Sequence, residues 1–298
     1  LKRNSLLVSL IILSIFIYFL VEYNVFSKLN EILNCLSPIY LFLSLIIYIS
    51  TYFLRAKRFT LFFPEIKTLD LSAVMAVHTF FNNLLPFRSG EASFPIILKK
   101  LFSVEGVISS ATLLLVRLFD LLSLSILFTL STVFISFQNK KLLLISVFLF
   151  FFILLIIFIG FKLLRKFKNK FPIAFTLFSF FSNFNSKKNL TLVFTYSILN
   201  WTFKFLSFFF ILKAGGINIS FPKTIFVATF GELTTVLPIH SIGGFGTYEA
   251  GLVGGFALLG LKGSYALTVA FYFHLLLFTM SGVLAFFGWI YLSGKFKG

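Results

Sequence analysis

Apolar residues run along this chain in long blocks, not in the short alternation of a half-wet strand or helix. Six blocks, 6–21, 36–54, 107–137, 142–164, 190–212 and 264–292, are long enough to cross a bilayer, because an α-helical span needs about 20 apolar residues. The first follows Lys2 and Arg3 as a signal peptide would, but Val21-Glu22-Tyr23-Asn24 replaces a small-x-small cleavage pattern. It is therefore expected to stay as a span. Two further blocks are interrupted: 69–102 around Pro86 and Gly90, and 221–260 around Pro238 and Gly243-Gly244-Phe245-Gly246. Proline removes a backbone donor, and peptide groups exposed at a break cannot be satisfied by hydrocarbon. Both blocks are read as re-entrant hairpins that enter and leave on one side, their breaks facing protein or a wet cavity.

The basic residues test that layout. With a cytoplasmic N-terminus, 17 of the 26 fall inside: Lys2 and Arg3, the Arg55 to Lys67 group, Lys99 and Lys100, the connection 162–188, and Lys295 and Lys297. Six fall outside: Lys28, Lys140, Lys141, Lys213, Lys223 and Lys262. Arg88, Arg117 and Lys204 lie within apolar segments. The excess follows the positive-inside rule.

The two interrupted blocks resemble each other. One reads Asn82-Asn83-Leu84-Leu85-Pro86-Phe87-Arg88-Ser89-Gly90-Glu91-Ala92. The other has Thr234-Thr235-Val236-Leu237-Pro238-Ile239-His240, then Gly243-Gly244-Phe245-Gly246-Thr247-Tyr248-Glu249-Ala250. Each hairpin follows two spans and precedes one, so residues 1–298 form a single transmembrane domain of two units, 1–137 and 142–292. Three crossings per unit invert the second relative to the first. The expected fold class is an all-α polytopic membrane protein with six full spans and two re-entrant hairpins in an inverted repeat, a plan that holds substrate where broken helices meet.

Composition narrows the function. Hydrophobic residues make up 59% and charged residues 12%, against about 25% charged in a soluble domain, and no gap is large enough for a separate soluble catalytic domain. The net charge of +17 sits between apolar blocks, where it orients the chain and meets anionic lipid, so nucleic acid is not expected. Cys35 is the single cysteine and the three histidines are dispersed, which excludes an internal disulfide and gives no metal-ligand spacing. No cofactor is expected. The chain lacks a G-x-x-x-x-G-K-[ST] phosphate loop, G-x-S-x-G and H-E-x-x-H, so neither that ATPase route nor those hydrolase routes apply.

Charge inside a membrane is expensive and marks function by default. Arg88 and Glu91 sit at the first break, and Arg117 and Asp120 share a helical face in the third span. Together they form a candidate cluster in which arginine forks bind a phosphate; the competing reading is that Arg117 pairs with Asp120 or Glu91 simply to pin the hairpin. Gly243, Gly244, Gly246 and Glu249 form the second candidate group, with helix N–H groups from about Thr247 available to an anion. Tight helix packing through Gly251 and Gly255 is the alternative for the glycines. Asn82, Asn83, Glu232, His240 and His274 are secondary candidates, His274 equally well a packed interhelical hydrogen-bonder. Lys204 is expected to snorkel outward.

The stretch 82–91, then Arg117-Leu118-Phe119-Asp120, then 243–250, in that order, resembles the flippase-type membrane region of lysylphosphatidylglycerol synthases, the multiple peptide resistance factors. The resemblance implies a bacterial inner-membrane or archaeal location and a lipid or lipid-linked substrate. With the chain ending at Gly298, the stand-alone form is expected, without lipid aminoacylation. The expected function is translocation of a phosphate-bearing lipid head between leaflets, with an anionic phospholipid or a polyprenyl-phosphate-linked lipid as partner and a homo-oligomer left open. A membrane-embedded enzyme or accessory subunit acting on isoprenoid-linked glycans is the alternative.

Overall fold

The apolar blocks become helices. The computed structural model describes residues 3–295 except 136–139, 168, 171, 185–186 and 236–240. Among them lie twelve α-helices: α1 (Arg3–Glu22), α2 (Val25–Asn34), α3 (Pro38–Phe59), α4 (Thr68–Leu84), α5 (Ser93–Phe102), α6 (Gly106–Ile135), α7 (Lys140–Phe167), α8 (Pro172–Phe184), α9 (Lys187–Ala214), α10 (Phe221–Thr234), α11 (Thr247–Leu258) and α12 (Gly263–Ser293). Five of these, α3, α6, α7, α9 and α12, are long and apolar enough to span a bilayer. The pair α1 and α2, bent by 72°, makes a sixth candidate. Each of the six expected segments is therefore helical over nearly all of its described residues.

Two helices were not expected. The amphipathic α2 buries Val25 and Leu29 and starts beyond Asn24, whose left-handed φ of 55° turns the chain out of α1. Inside the connection 162–188, α8 is 13 residues long, too short to span and hidden in the sequence by the lysines around it.

The chain forms two compact units, each discontinuous in sequence. The first comprises Leu1–Ser50, Ala76–Ser93 and Phe203–Tyr291; the second comprises Thr51–Met75, Phe94–Thr202 and Leu292–Gly298. In the first, α3 and α9 are laced by Ser44 and Ser207, both fully buried, each hydroxyl reaching the other's carbonyl at 3.1 and 3.0 Å. Small hydroxyl residues let membrane helices approach closely while satisfying their own polar atoms. Tyr272 adds a bond from α12 to the carbonyl of Ile211 on α9, at 2.8 Å. One end of this unit gathers α2, α3, α9 and α12: Lys28 Nζ donates to Ser264 Oγ at 2.7 Å and Ser37 N–H to the Ala214 carbonyl at 2.9 Å.

The second hairpin belongs wholly to this unit, and its two arms are antiparallel. A Cβ on Gly251 would lie 2.5 Å from the Phe230 carbonyl oxygen, and one on Gly255 would lie 2.9 Å from Val227 Cα. Partners thus descend α10 as they ascend α11. The first hairpin folds back in the same way, Gly90 against Phe81 and Ser93 against His78.

In the second unit α6 and α7 are joined by Thr132 and Ser146, hydroxyl to hydroxyl at 2.8 Å. The end of α8 is anchored where Phe184 stacks on Phe62, with ring centres 4.0 Å apart, beside Leu115 and Val193. Lys295 closes on Asp70 in the first turn of α4 at 2.6 Å. Along α7 most side chains are exposed and only 6% of its most apolar stretch is buried, as a lipid-facing helix requires.

Candidate functional site

At the first break the sequence leaves the helix little choice. Pro86 disfavours helical geometry at the residue before it, and Leu85 is extended at ψ 133°. Phe87 and Arg88 then adopt left-handed φ values of 56° and 55°, which non-glycine residues rarely do. Gly90 returns the chain onto α4 so closely that a Cβ there would lie 2.1 Å from the Phe81 carbonyl oxygen. The turn presents Arg88, whose Nη2 meets Glu91 Oε1 at 2.7 Å, the Glu91 side chain being 40% exposed. The Nε of Arg88 and the Oδ1 of buried Asn82 have no hydrogen-bond partner among the described residues, although buried polar groups nearly always find one. Asn83 is half-buried on the last turn of α4.

Glycine builds the second break. Gly243, Gly244 and Gly246 take φ values of 67°, 74° and 88°, at no Cβ penalty. Ser241 Oγ donates to the Phe245 carbonyl. The Gly246 N–H, the first of α11, donates to Glu249 Oε2 at 2.7 Å, so Glu249 satisfies its own helix terminus. Its Oε1 lies 2.8 Å from His274 Nδ1 on α12, with Glu249 fully buried and His274 only 7% exposed. Next to this pair, Tyr248 donates to Glu232 Oε1 at 3.2 Å, and Glu232 Oε2 accepts from Lys204 Nζ at 2.7 Å. Lys204 does not snorkel. It turns inward because Glu232, buried in hydrocarbon, needs a cation more than lysine needs the interface. Pro238 and His240 lie outside the described residues.

The two breaks touch each other, and α1 touches both. Within the first unit, therefore, the turn that carries Arg88 and Glu91 is brought against the turn that carries Gly243 and Gly244. With residues 6–285 the chain matches the family model described as the lysylphosphatidylglycerol synthase TM region. It belongs to that family. No match was found among curated proteins or among solved structures. The fold and the family together make this a multi-pass membrane protein.

The second unit holds a further cluster of this family member, and here the structure adds a residue that the sequence reading did not single out. Asp120 on α6 is bound by Arg58, whose Nη1 and Nη2 reach its oxygens at 2.5 and 3.3 Å, and by Trp201 Nε1 at 3.1 Å. Arg117, three residues away, was the guanidinium the sequence put beside Asp120; the structure adds Arg58, from the end of α3. Arg58, counted as an inner-loop charge, is 2% exposed and also donates to Ser197 Oγ at 2.8 Å. Its removal from the loop count leaves the excess of inner basic residues intact. Arg55, bonded through Nε to Asn200 Oδ1 at 3.1 Å, and half-buried Arg117 both lie near enough to act on the Arg58 charge. A bidentate arginine–carboxylate fork explains why Arg58 is the buried member, but Arg55-Ala56-Lys57-Arg58 offers three cations in four residues and nothing local to choose between them. The polar pair Asn200-Trp201 inside an apolar helix was the one available hint.

Proposed function

We propose that this protein is a flippase-type lipid translocase that moves a phosphate-bearing lipid head, of an anionic phospholipid or a polyprenyl-phosphate-linked lipid, between leaflets. The observation that carries this reading is the meeting of the two breaks, the first of which also holds a buried donor, Arg88 Nε, and a buried acceptor, Asn82 Oδ1, without partners among the described residues. Broken backbone in a membrane lines protein or a wet cavity, and transporters bind substrate where such breaks meet. Arg88 would take the phosphate in its fork, with Glu91 as the counter-ion it trades for substrate. Gly243, Gly244 and Gly246 allow close approach of backbone to the head group. The second unit, taken by itself, offers Arg117 near Arg58 and Asp120 as a separate candidate for an anionic group. Both hairpins re-enter, the halves 1–137 and 142–292 form an inverted repeat, and both termini are cytoplasmic.

The test is leaflet-resolved movement of fluorescent phosphatidylglycerol in vesicles containing only this protein. Movement is expected for the native protein and its loss for Arg88→Ala with insertion intact. Vesicles that move no lipid would favour the alternative, an enzyme or accessory subunit for isoprenoid-linked glycans. Cysteines replacing Lys99 and Lys262 in a Cys35→Ser background should label from opposite sides; labelling from one side would end the inverted repeat.

A further inference from the structure

Around the second break the charges of the described residues balance one by one, with one exception. Lys204 is matched by Glu232, and Arg88 by Glu91, each at 2.7 Å. Tyr248 donates its hydroxyl hydrogen to Glu232 at 3.2 Å. His78 on α4 is bonded to Ser93 Oγ at 3.0 Å, Lys28 on α2 to Ser264, and α1 reaches the break through the ring of Phe16. His240 lies outside the described residues. What is left is Glu249 with His274, a carboxylate and an imidazole that together carry one negative charge or none, according to one proton.

We propose that the Glu249–His274 pair binds the coupling proton of this protein, an inference that rests on the translocase reading. The pair is buried, and the imidazole is packed between the rings of Phe245 and Tyr248 at 4.7 and 4.6 Å. Loading adds one proton from water to the imidazole, giving an imidazolium–carboxylate pair of zero net charge; no other bond changes. Release leaves an unbalanced charge in a dry site, where it is expensive. Both carboxylate oxygens already face donors, the Gly246 N–H and the imidazole, so a proton meets that charge more readily than a metal cation. Glu249 also holds the first turn of α11 through Gly246, and the charge state is thereby transmitted to the glycine turn. The proton-loaded pair keeps the break closed. Its deprotonation draws water in and opens it.

Two measurements test this. Ser241, fully buried at the break, is replaced by cysteine in a Cys35→Ser background, and its alkylation by N-ethylmaleimide is followed from about pH 5.5 to 8.5. The rate, divided by that of the same cysteine with His274→Gln to cancel the thiol's own titration, is expected to rise with pH through one transition, by at most about tenfold per unit, the limit for one linked proton. Glu249→Gln, whose amide oxygen still accepts from Gly246, should flatten the profile as His274→Gln does, whereas His78→Gln should leave it unchanged. A ratio that stays flat, or a rise that survives Glu249→Gln, overturns the proton site. In vesicles, an imposed pH gradient is expected to drive fluorescent phosphatidylglycerol to one leaflet in the native protein and not in His274→Gln. Lipid movement indifferent to the gradient overturns the coupling and leaves the translocase standing. Absence of all lipid movement overturns the translocase reading and with it the coupling, while the alkylation profile still decides whether the pair binds a proton.

Discussion

The two breaks solve one geometric problem with opposite chemistry. At the first, proline stops the helix and two non-glycine residues are forced into left-handed geometry, presenting an ion pair whose carboxylate is 40% exposed. At the second, three glycines make the turn without strain and the carboxylate beside them is sealed completely. The difference separates two tasks. A strained, partly open turn holds a guanidinium where a ligand can reach it, and strain of that kind clusters at functional sites. A relaxed turn with a buried, self-capping carboxylate suits a group that communicates with backbone rather than with ligand.

Truncating the two carboxylates should separate the breaks most sharply. Glu249→Ala strands His274 and uncaps Gly246 in a dry site, so a loss of about 3–5 kcal/mol is expected, the usual penalty for breaking a buried pair. Glu91→Ala should cost about 1 kcal/mol or less, because solvent screens a pair this open. Thermal unfolding in detergent measures both. Equal losses would mean that the first break is as dry as the second, and the division of labour would fall.

Next comes a feature the hairpins share. Each sets one glycine against a carbonyl of the opposing arm, Gly90 at 2.1 Å from the Phe81 oxygen and Gly251 at 2.5 Å from the Phe230 oxygen. An added methyl meets backbone in both, which cannot swing aside. Gly90→Ala is expected to cost about 3 kcal/mol and Gly251→Ala somewhat less. Gly254→Ala, with nothing within 4 Å of its Cβ, should stabilise by up to about 1 kcal/mol through helix propensity. If Gly90→Ala is tolerated with unchanged melting temperature, the first hairpin does not close on itself as described.

These hairpins were legible in the sequence because proline and glycine inside an apolar block have a local physical meaning. The five spanning helices, and the bent pair that makes a sixth candidate, were legible for the same reason, since bilayer thickness sets a length that apolar runs either reach or miss. Partner choice was not. Asp120 takes Arg58 from 62 residues away, and Lys204 turns to Glu232 instead of the interface; both outcomes depend on how helices pack, which no local pattern records. Short helices also escaped. Neither α2 nor α8 reaches spanning length, so the measure that found the others passed over them. His274 was visible as a residue but not as a partner, because the element that brings Glu249 to it is 25 residues away.

The smallest effect probes the strain itself. Phe87→Gly removes a left-handed penalty of about 1–2 kcal/mol, but it also gives up a half-buried ring and adds about 0.5–1 kcal/mol of unfolded-chain entropy. The net change should lie within about 0.5 kcal/mol of zero. Gly243→Ala, at φ 67° with its Cβ 2.8 Å from the Phe245 ring, carries the left-handed penalty and a close contact, offset only in part by about 0.5–1 kcal/mol of unfolded-chain entropy, and should lose about 1–2 kcal/mol. The pair therefore reads strain separately from packing: glycine is nearly free where the first break has phenylalanine, and alanine is costly where the second has glycine. Chemical denaturation of both variants decides it. A large loss in Phe87→Gly would mean that the ring, not the turn, holds the first break together, and Arg88 would then owe its position to packing around Phe87 rather than to a strained backbone.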